Sequence, residues 1–147
     1  VGAAVPPQSV AVYNPEGKGD NTGRAKNAID GKAETEWRTE KYKQQFPTIK
    51  PGVGLVVSFG NPINLSQVKV IGGTPGSKVE IRSATEKNPD LADTKVVGNG
   101  DLKDGETIIP LAQPTQGEYF VVWITQLGAV DGQFMTEIGD LSFLPAG

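Results

Sequence analysis

The chain has no cysteine and no histidine, and among its 147 residues there are one methionine and two tryptophans. Without cysteine there is no disulfide framework and no zinc site built on thiolates. Without histidine the commonest general base at neutral pH, and the commonest ligand for a transition metal, are both missing. The usual nucleophile and base pairings of acyl-transfer enzymes are therefore absent. Neither sign of charge dominates: the net charge is -3 and the pI is near 5.0. Such a chain has no general attraction for nucleic acid or for an anionic membrane. Nor does any apolar run approach the roughly 20 residues of a membrane-spanning helix.

Glycine and proline, by contrast, are plentiful, at 19 and 11 residues. They punctuate short β-branched or alternating segments, a pattern that predicts an all-β sandwich or barrel. The segments are 9–13, 54–59, 65–71, 78–83, 94–97, 107–111, 119–125 and 138–144. About eight strands in two antiparallel sheets predict a jelly roll, which folds slowly because its pairings are non-local. The segment 119–125 is apolar at both parities and reads as a central strand covered on both faces. Helix is confined to one short turn over 24–29. Residues 8–147 read as a single β-sandwich binding domain. Residues 1–7, with Pro6-Pro7, read as the end of a linker from a larger protein.

The most specific stretch is Asn27-Ala28-Ile29-Asp30-Gly31-Lys32-Ala33-Glu34-Thr35-Glu36-Trp37. Gly31 permits a sharp turn, and the Asp30 carboxylate can point into its concavity. The carbonyls of Asn27 and Lys32, with the carbonyl and hydroxyl of Thr35, bring the oxygens to about five. A hard cation such as calcium takes six to eight. A second carboxylate from a distant strand, Asp140 or Glu137, would complete the shell. The competing arrangement is a loop whose carboxylate accepts backbone N–H groups and holds no metal. Trp37 is expected to anchor the loop to the core.

The order of several segments resembles the discoidin, or coagulation-factor type C, domains and related carbohydrate-binding modules of the galactose-binding-like fold. The matching residues are Ala28-Ile29-Asp30-Gly31 with Thr35 and Trp37, then 54–60, 65–70, 78–83 and Ile138-Gly139-Asp140-Leu141-Ser142-Phe143. The resemblance implies an eight-stranded jelly roll, with a structural calcium site in many members. Its ligands would be the carbonyls of Asn27, Lys32 and Gly139, the carboxylates of Asp30 and Asp140, and Thr35. Lys32 stands where many members have an acid, and Asp140 where many have the longer Glu. A narrower similarity lies in 37–42, Phe46, 50–55 and 119–125, which resemble the extracytoplasmic C-terminal domain of mycobacterial MviN-type proteins. In that family a peptidoglycan-precursor flippase is joined to a pseudokinase. This implies an extracytoplasmic module attached to a membrane protein, with no membrane insertion of its own.

Ligand binding is expected on the polar stretch 39–50, which is long enough to cover one end of the sandwich. Tyr42 and Phe46 would offer aromatic faces to a sugar ring, while Arg38, Lys41, Lys43 or Gln44 bond its hydroxyls or a carboxylate. The alternative is a loop pinned down by its own aromatics. Carbohydrate or a cell-wall precursor is thus one expected partner, and a protein of the cell envelope the other. Remaining motifs exclude more than they suggest. Gly17, Gly19 and Gly23 lack the spacing and context of a nucleotide loop. Asp101 and Asp104-Gly105-Glu106 lack the spacing of a helical calcium hand. Nothing sets Glu34, Glu36 or Glu40 at a fixed separation across a cleft, as a glycosidase requires. The module is expected to be non-catalytic.

Overall fold

A computed structural model describes residues 2–15, 19–32, 34–46, 48 and 50–147. Among them are ten strands: β1 (Ser9–Tyr13), β2 (Trp37–Arg38), β3 (Val53–Ile71), β4 (Lys78–Ala84), β5 (Lys95–Asp101), β6 (Glu106–Gln126), β7 (Gly128–Val130), β8 (Gln133–Met135), β9 (Glu137–Ile138) and β10 (Asp140–Pro145). All pairings are antiparallel. The main sheet runs β1-β3-β6-β4-β5, with β10 also on β3. The β2–β9 and β7–β8 ladders are separate.

Two long strands turn this sheet into a sandwich. The first half of β3 pairs with β1 and with residues 119–124 of β6, whereas its second half pairs with β10 and with residues 106–110. Register shifts separate the halves, between Ser58 and Ile63 and between Leu65 and Gln67. Gly60, at φ 78, supplies one bend and Pro110 and Pro114 flank the other. Such irregularities re-aim a strand without ending it. This is why segments read as separate in the sequence, 54–59 with 65–71 and 107–111 with 119–125, are single strands. The Gly98–Asp101 stretch, which the sequence pattern leaves between the segments 94–97 and 107–111, is part of strand β5 opposite β4. The jelly-roll sandwich itself is as expected.

Alternation decides what enters the core. Leu55 and Val57 of β3, Val79 and Ile81 of β4, and Phe120, Val122 and Ile124 of β6 face inward against Leu65, Val68, Ile109, Leu141 and Phe143. The opposite parity of β3 and β6 forms a second cluster, Val56, Val121 and Trp123 with Tyr13. Tyr13 meets Trp123 edge-on at 5.6 Å, and its hydroxyl donates to the Pro89 carbonyl at 2.7 Å. The segment around Pro89 and Leu91 therefore covers the outer face, so residues 120–124 are buried on both sides, as the composition of 119–125 predicts, while Tyr119 and Thr125 are half-exposed. The stretch expected as a linker end follows the last strand: Gly2 N–H donates to Pro145 and Val5 N–H to Phe143. Val1 lies outside the described residues.

Gly54 sits where β1, β3 and β6 meet, opposite Tyr13 and Trp123. A Cβ there would run into the Val122 carbonyl oxygen and lie 3.0 Å from the Trp123 Cα. Gly54→Ala is expected to destabilise the domain by about 1–3 kcal/mol through overpacking. The check is a lower urea midpoint with an unchanged slope.

Candidate functional site

The loops before β3 are organised by one buried carboxylate that sequence reasoning did not single out. Asp20 is fully buried and, like Asn21, has left-handed backbone (φ 61 and 59), which Asp and Asn tolerate better than other side chains. This kink starts the 3-10 turn Thr22–Ala28. Tyr42 hydroxyl lies 2.6 Å from both Asp20 oxygens, Glu40 N–H donates to Oδ1 at 2.9 Å, and Asn14 Nδ2 donates to Oδ2 at 2.9 Å. Lys50 Nζ completes the set, 3.0 Å from Oδ2, with its side chain 9% exposed. The backbone of Asp20 is held too: its carbonyl accepts the Trp37 indole N–H at 2.8 Å, and its N–H donates to Glu40 Oε2 at 3.2 Å. Burial, followed by the hydrogen bond to Asp20, pushes the Tyr42 phenol far above its usual range and keeps it protonated. The one sequence signal was the Gly19-Asp20-Asn21 run, which reads as a turn; Gly17 of that glycine stretch lies outside the described residues.

Residues 39–46 of the stretch expected to bind ligand are stitched to the sandwich. Tyr42 and Phe134 exchange both backbone hydrogen bonds at 2.8 Å. Gln45 donates through Nε2 to the Leu127 carbonyl at 2.8 Å and accepts the Leu127 N–H through Oε1 at 2.7 Å. Thr39 and Thr136 are joined twice more. The expected role of Phe46 needs correction, because at 5% exposure it belongs to the core and presents no face to a ligand. Tyr42 is half-buried, with Phe46 at 5.5 Å and the Lys50 ammonium 4.9 Å from its ring centroid. Thus these aromatics pin the loop. Left at the surface are Lys41, Lys43 and Gln44, with Arg38 half-exposed. Arg38 lies opposite Glu137 in the β2–β9 ladder. Glu137 also lines a shallow groove of about 310 Å³ with Gly72, Gly73, Thr74, Pro75 and Val130. Groove and charged loop therefore share an edge.

Trp37 is fully buried, as an anchor should be. On the loop before it, Asp30 accepts the Lys32 N–H at 2.9 Å and the Thr35 hydroxyl. Thr35 also lies 3.3 Å from the Lys32 carbonyl. From the far end of the chain, Asp140 accepts the Gly31 N–H at 3.1 Å, closing the loop across 109 residues. Asp30, Lys32, Thr35 and Asp140 thus come together. Asn27 turns its side-chain amide to the Glu36 carbonyl at 3.1 Å, and Gly139 donates its N–H to Ile71. The gathered donors are all oxygens, as a hard cation requires. Two carboxylates carry the charge, and among the described residues no third acidic group joins them. The residues present fit calcium in kind, at the low end of ligand charge.

The carboxyls are shifted in opposite directions. Burial, with the charge of Asp30 adding to it, pushes Asp140 above the usual carboxylate range, while the Gly31 N–H pulls it down. The Thr35 hydroxyl and then the Lys32 N–H hold exposed Asp30 below that range. A carboxyl raised on folding favours the native state while protonated, and that contribution is lost as pH rises through its native pKa. In metal-free protein the Asp140 contribution is therefore expected to fall as pH rises from about 3.8, the ordinary aspartate value. The Asp30 contribution behaves inversely, declining only as pH drops below that value. Urea melts of the wild type and Asp140→Asn between pH 3 and 7, as a set of about eight points, check this. The variant gains on the wild type as pH rises; parallel profiles would contradict the assignment.

No family model matches the sequence. Solved structures are similar in fold. CBM32-3 from a family 31 glycoside hydrolase of Clostridium perfringens superposes with a TM-score of 0.70 at 15% identity, covering 97% of this chain and 95% of that one. The CBM32 of AlyQ, in complex with 4,5-unsaturated mannuronic acid, gives 0.66 at 17% identity, with coverage of 98% and 99%. The family 32 module of NanJ from the same Clostridium, in complex with galactose, gives 0.62 at 18%, with coverage of 95% and 96%. At these identities the likeness establishes the galactose-binding-like jelly roll.

Proposed function

We propose that the chain is a non-catalytic carbohydrate-binding module that recognises a glycan at the end of the sandwich formed by residues 38–44 and the adjoining groove. The observation that carries this reading is the sharing of the entire fold, end to end, with modules whose solved complexes hold sugars. The stitched loop suits the task. Its geometry is set before a ligand arrives, so little conformational entropy is lost on binding. Arg38, Lys41 and Glu137 supply donors and an acceptor for sugar hydroxyls, and the exposed part of Tyr42 supplies an apolar edge. Phe46 acts from behind, by packing against Tyr42. A protein-docking face finds less support: among the described residues the large hydrophobics in the exposed class are Val96 and Ile108, too few for the apolar centre of a stable interface.

By its resemblance to the C-terminal domain of MviN-type proteins, the module stands outside the cytoplasmic membrane, attached to a protein of cell-wall synthesis. No helix among the described residues is long and apolar enough to cross a membrane. A cell-wall glycan or precursor is then the natural ligand to test. Titration of labelled protein with galactose, N-acetylgalactosamine, uronic acids and muropeptides at millimolar concentration is expected to shift the amides of Lys41, Tyr42 and Lys43. Arg38→Ala or Lys41→Ala should weaken the binding about tenfold each, or about 1.4 kcal/mol. Unchanged spectra with every sugar would end the glycan reading.

Calcium at Asp30, Lys32, Thr35 and Asp140, with the carbonyls of Asn27 and Gly139, has a bracing role in this proposal. A cation bound only by the native state stabilises it by about 2.7 kcal/mol at a hundredfold excess over Kd. Calcium is expected to raise the melting temperature of the wild type and leave Asp140→Ala unmoved. Identical melts in calcium and in chelator would remove the metal from the proposal.

A further inference from the structure

Three side chains of the Asp20 cluster are arranged for a covalent step that neither fold nor sugar binding requires. Lys50 Nζ lies 3.0 Å from Asp20 Oδ2 and 3.2 Å from Asn14 Oδ1. The amide nitrogen of that same Asn14 donates to the same Asp20 Oδ2 at 2.9 Å. One carboxylate oxygen therefore touches both an amine nucleophile and the nitrogen that would leave if the amine attacked the Asn14 carbonyl. Side-chain exposure is 9% at Lys50 and 0% at Asp20, so the amine and its proton carrier are shielded from bulk water, while Asn14 is half-exposed. Tyr42, bonded to both carboxylate oxygens, fixes the plane of the group.

We propose that Lys50 and Asn14 become joined by an intramolecular isopeptide bond, with Asp20 as the proton carrier. Asp20 takes a proton from the Lys50 ammonium, and the freed lone pair attacks Cγ of Asn14. In the tetrahedral intermediate the former lysine nitrogen returns a proton to the carboxylate as Asp20 protonates Nδ2. The Cγ–Nδ2 bond then breaks with its electron pair leaving on nitrogen, and the ammonia released takes the remaining proton from Asp20, which returns to a carboxylate. The sum is one ammonium side chain and one carboxamide giving one secondary amide and one ammonium ion. No oxidant, metal or cofactor takes part. Holding the reactants within hydrogen-bond reach supplies the high effective concentration that such a slow aminolysis needs. Asn14 lines an open groove with Pro15, Asn88 and Asp90, which gives the released ammonium a path to solvent.

The bond would fasten the end of edge strand β1 to the segment entering β3, across 36 residues. It closes a loop that contains the Asp20 kink, the oxygen-rich loop and most of 39–50. A covalent closure of this kind restricts the unfolded chain as a disulfide does, in a protein with no cysteine.

Intact-mass measurement of the purified full chain tests the proposal. The expected mass is lower than the sequence mass by one ammonia, and digestion should release a branched peptide joining the Asn14 and Lys50 segments. Asn14→Ala and Lys50→Arg should restore the mass of their own sequences, and so should Asp20→Asn. If the Asp20 variant does not fold, the wild-type mass and the other two variants still decide. A wild-type mass equal to that of the sequence, after long incubation of folded protein, overturns the proposal. So does a deficit that persists in Lys50→Arg, which places the loss of ammonia at another residue, since Asn14 precedes Pro15 and has no following N–H to close a succinimide. A deficit of one water places the bond at Asp20 and overturns the assignment to Asn14.

Discussion

The burial of Asp20 is the constraint on which this end of the molecule depends. An ionised carboxylate removed from water is tolerable only if its lone pairs are met, and here an ammonium, a phenol, an amide and a backbone N–H meet them. Those donors come from the end of β1, from the stretch after β2 and from the approach to β3. Satisfying one charge thereby positions three separate segments. The backbone of Asp20 extends the effect to Trp37, whose indole N–H needs a partner as its ring enters the core. A hydrophobic residue in place of Asp20 could fill the volume but would carry no comparable directional information.

The oxygen-rich loop is a second closure of the same kind, with a different balance of exposure. Asp30 is exposed and Asp140 nearly buried, so solvent moderates one charge and the protein must accommodate the other. Burial of Asp140, with the charge of Asp30 adding to it, raises the Asp140 pKa and is the physical reason a cation would be welcome. The loop leads directly to Trp37 and β2, which pairs with β9 one residue before the Gly139-Asp140 corner. Residues 31–38 and 137–140, about a hundred positions apart, are thus drawn to one place. The charged surface proposed for ligand binding rests on that corner and on the Thr39–Thr136 bonds beside it.

What was legible in the sequence was local. Alternation at Val79-Glu80-Ile81-Arg82, and apolar character at both parities in 119–125, reflect burial on one face and on two, and both follow from a period of two along a strand. The turn at Gly31 and the anchoring of Trp37 were similarly readable, since each needs only its own neighbours and a core to face. The bends within β3 and β6 were not. Gly60-Asn61-Pro62 and Pro110 look like chain breaks, and only pairing with partners far away keeps the strand continuous across them. Phe46 was misplaced for a related reason, because a polar neighbourhood in sequence does not reveal which single side chain turns inward.

By itself, then, the sequence determined the all-β class, the jelly-roll order of segments, the tight turn at Asp30-Gly31 and the exclusion of thiol and imidazole chemistry. These rest on residue type and short-range spacing, which are present before folding. Only the tertiary structure decided that Asp20 is a buried hub, that Lys50 and Asn14 meet at one of its oxygens, and that Asp140 rather than Glu137 closes the loop at Gly31. Each joins positions 6 to 109 residues apart, and the energy of a buried charge or hydrogen bond depends on what surrounds it in space.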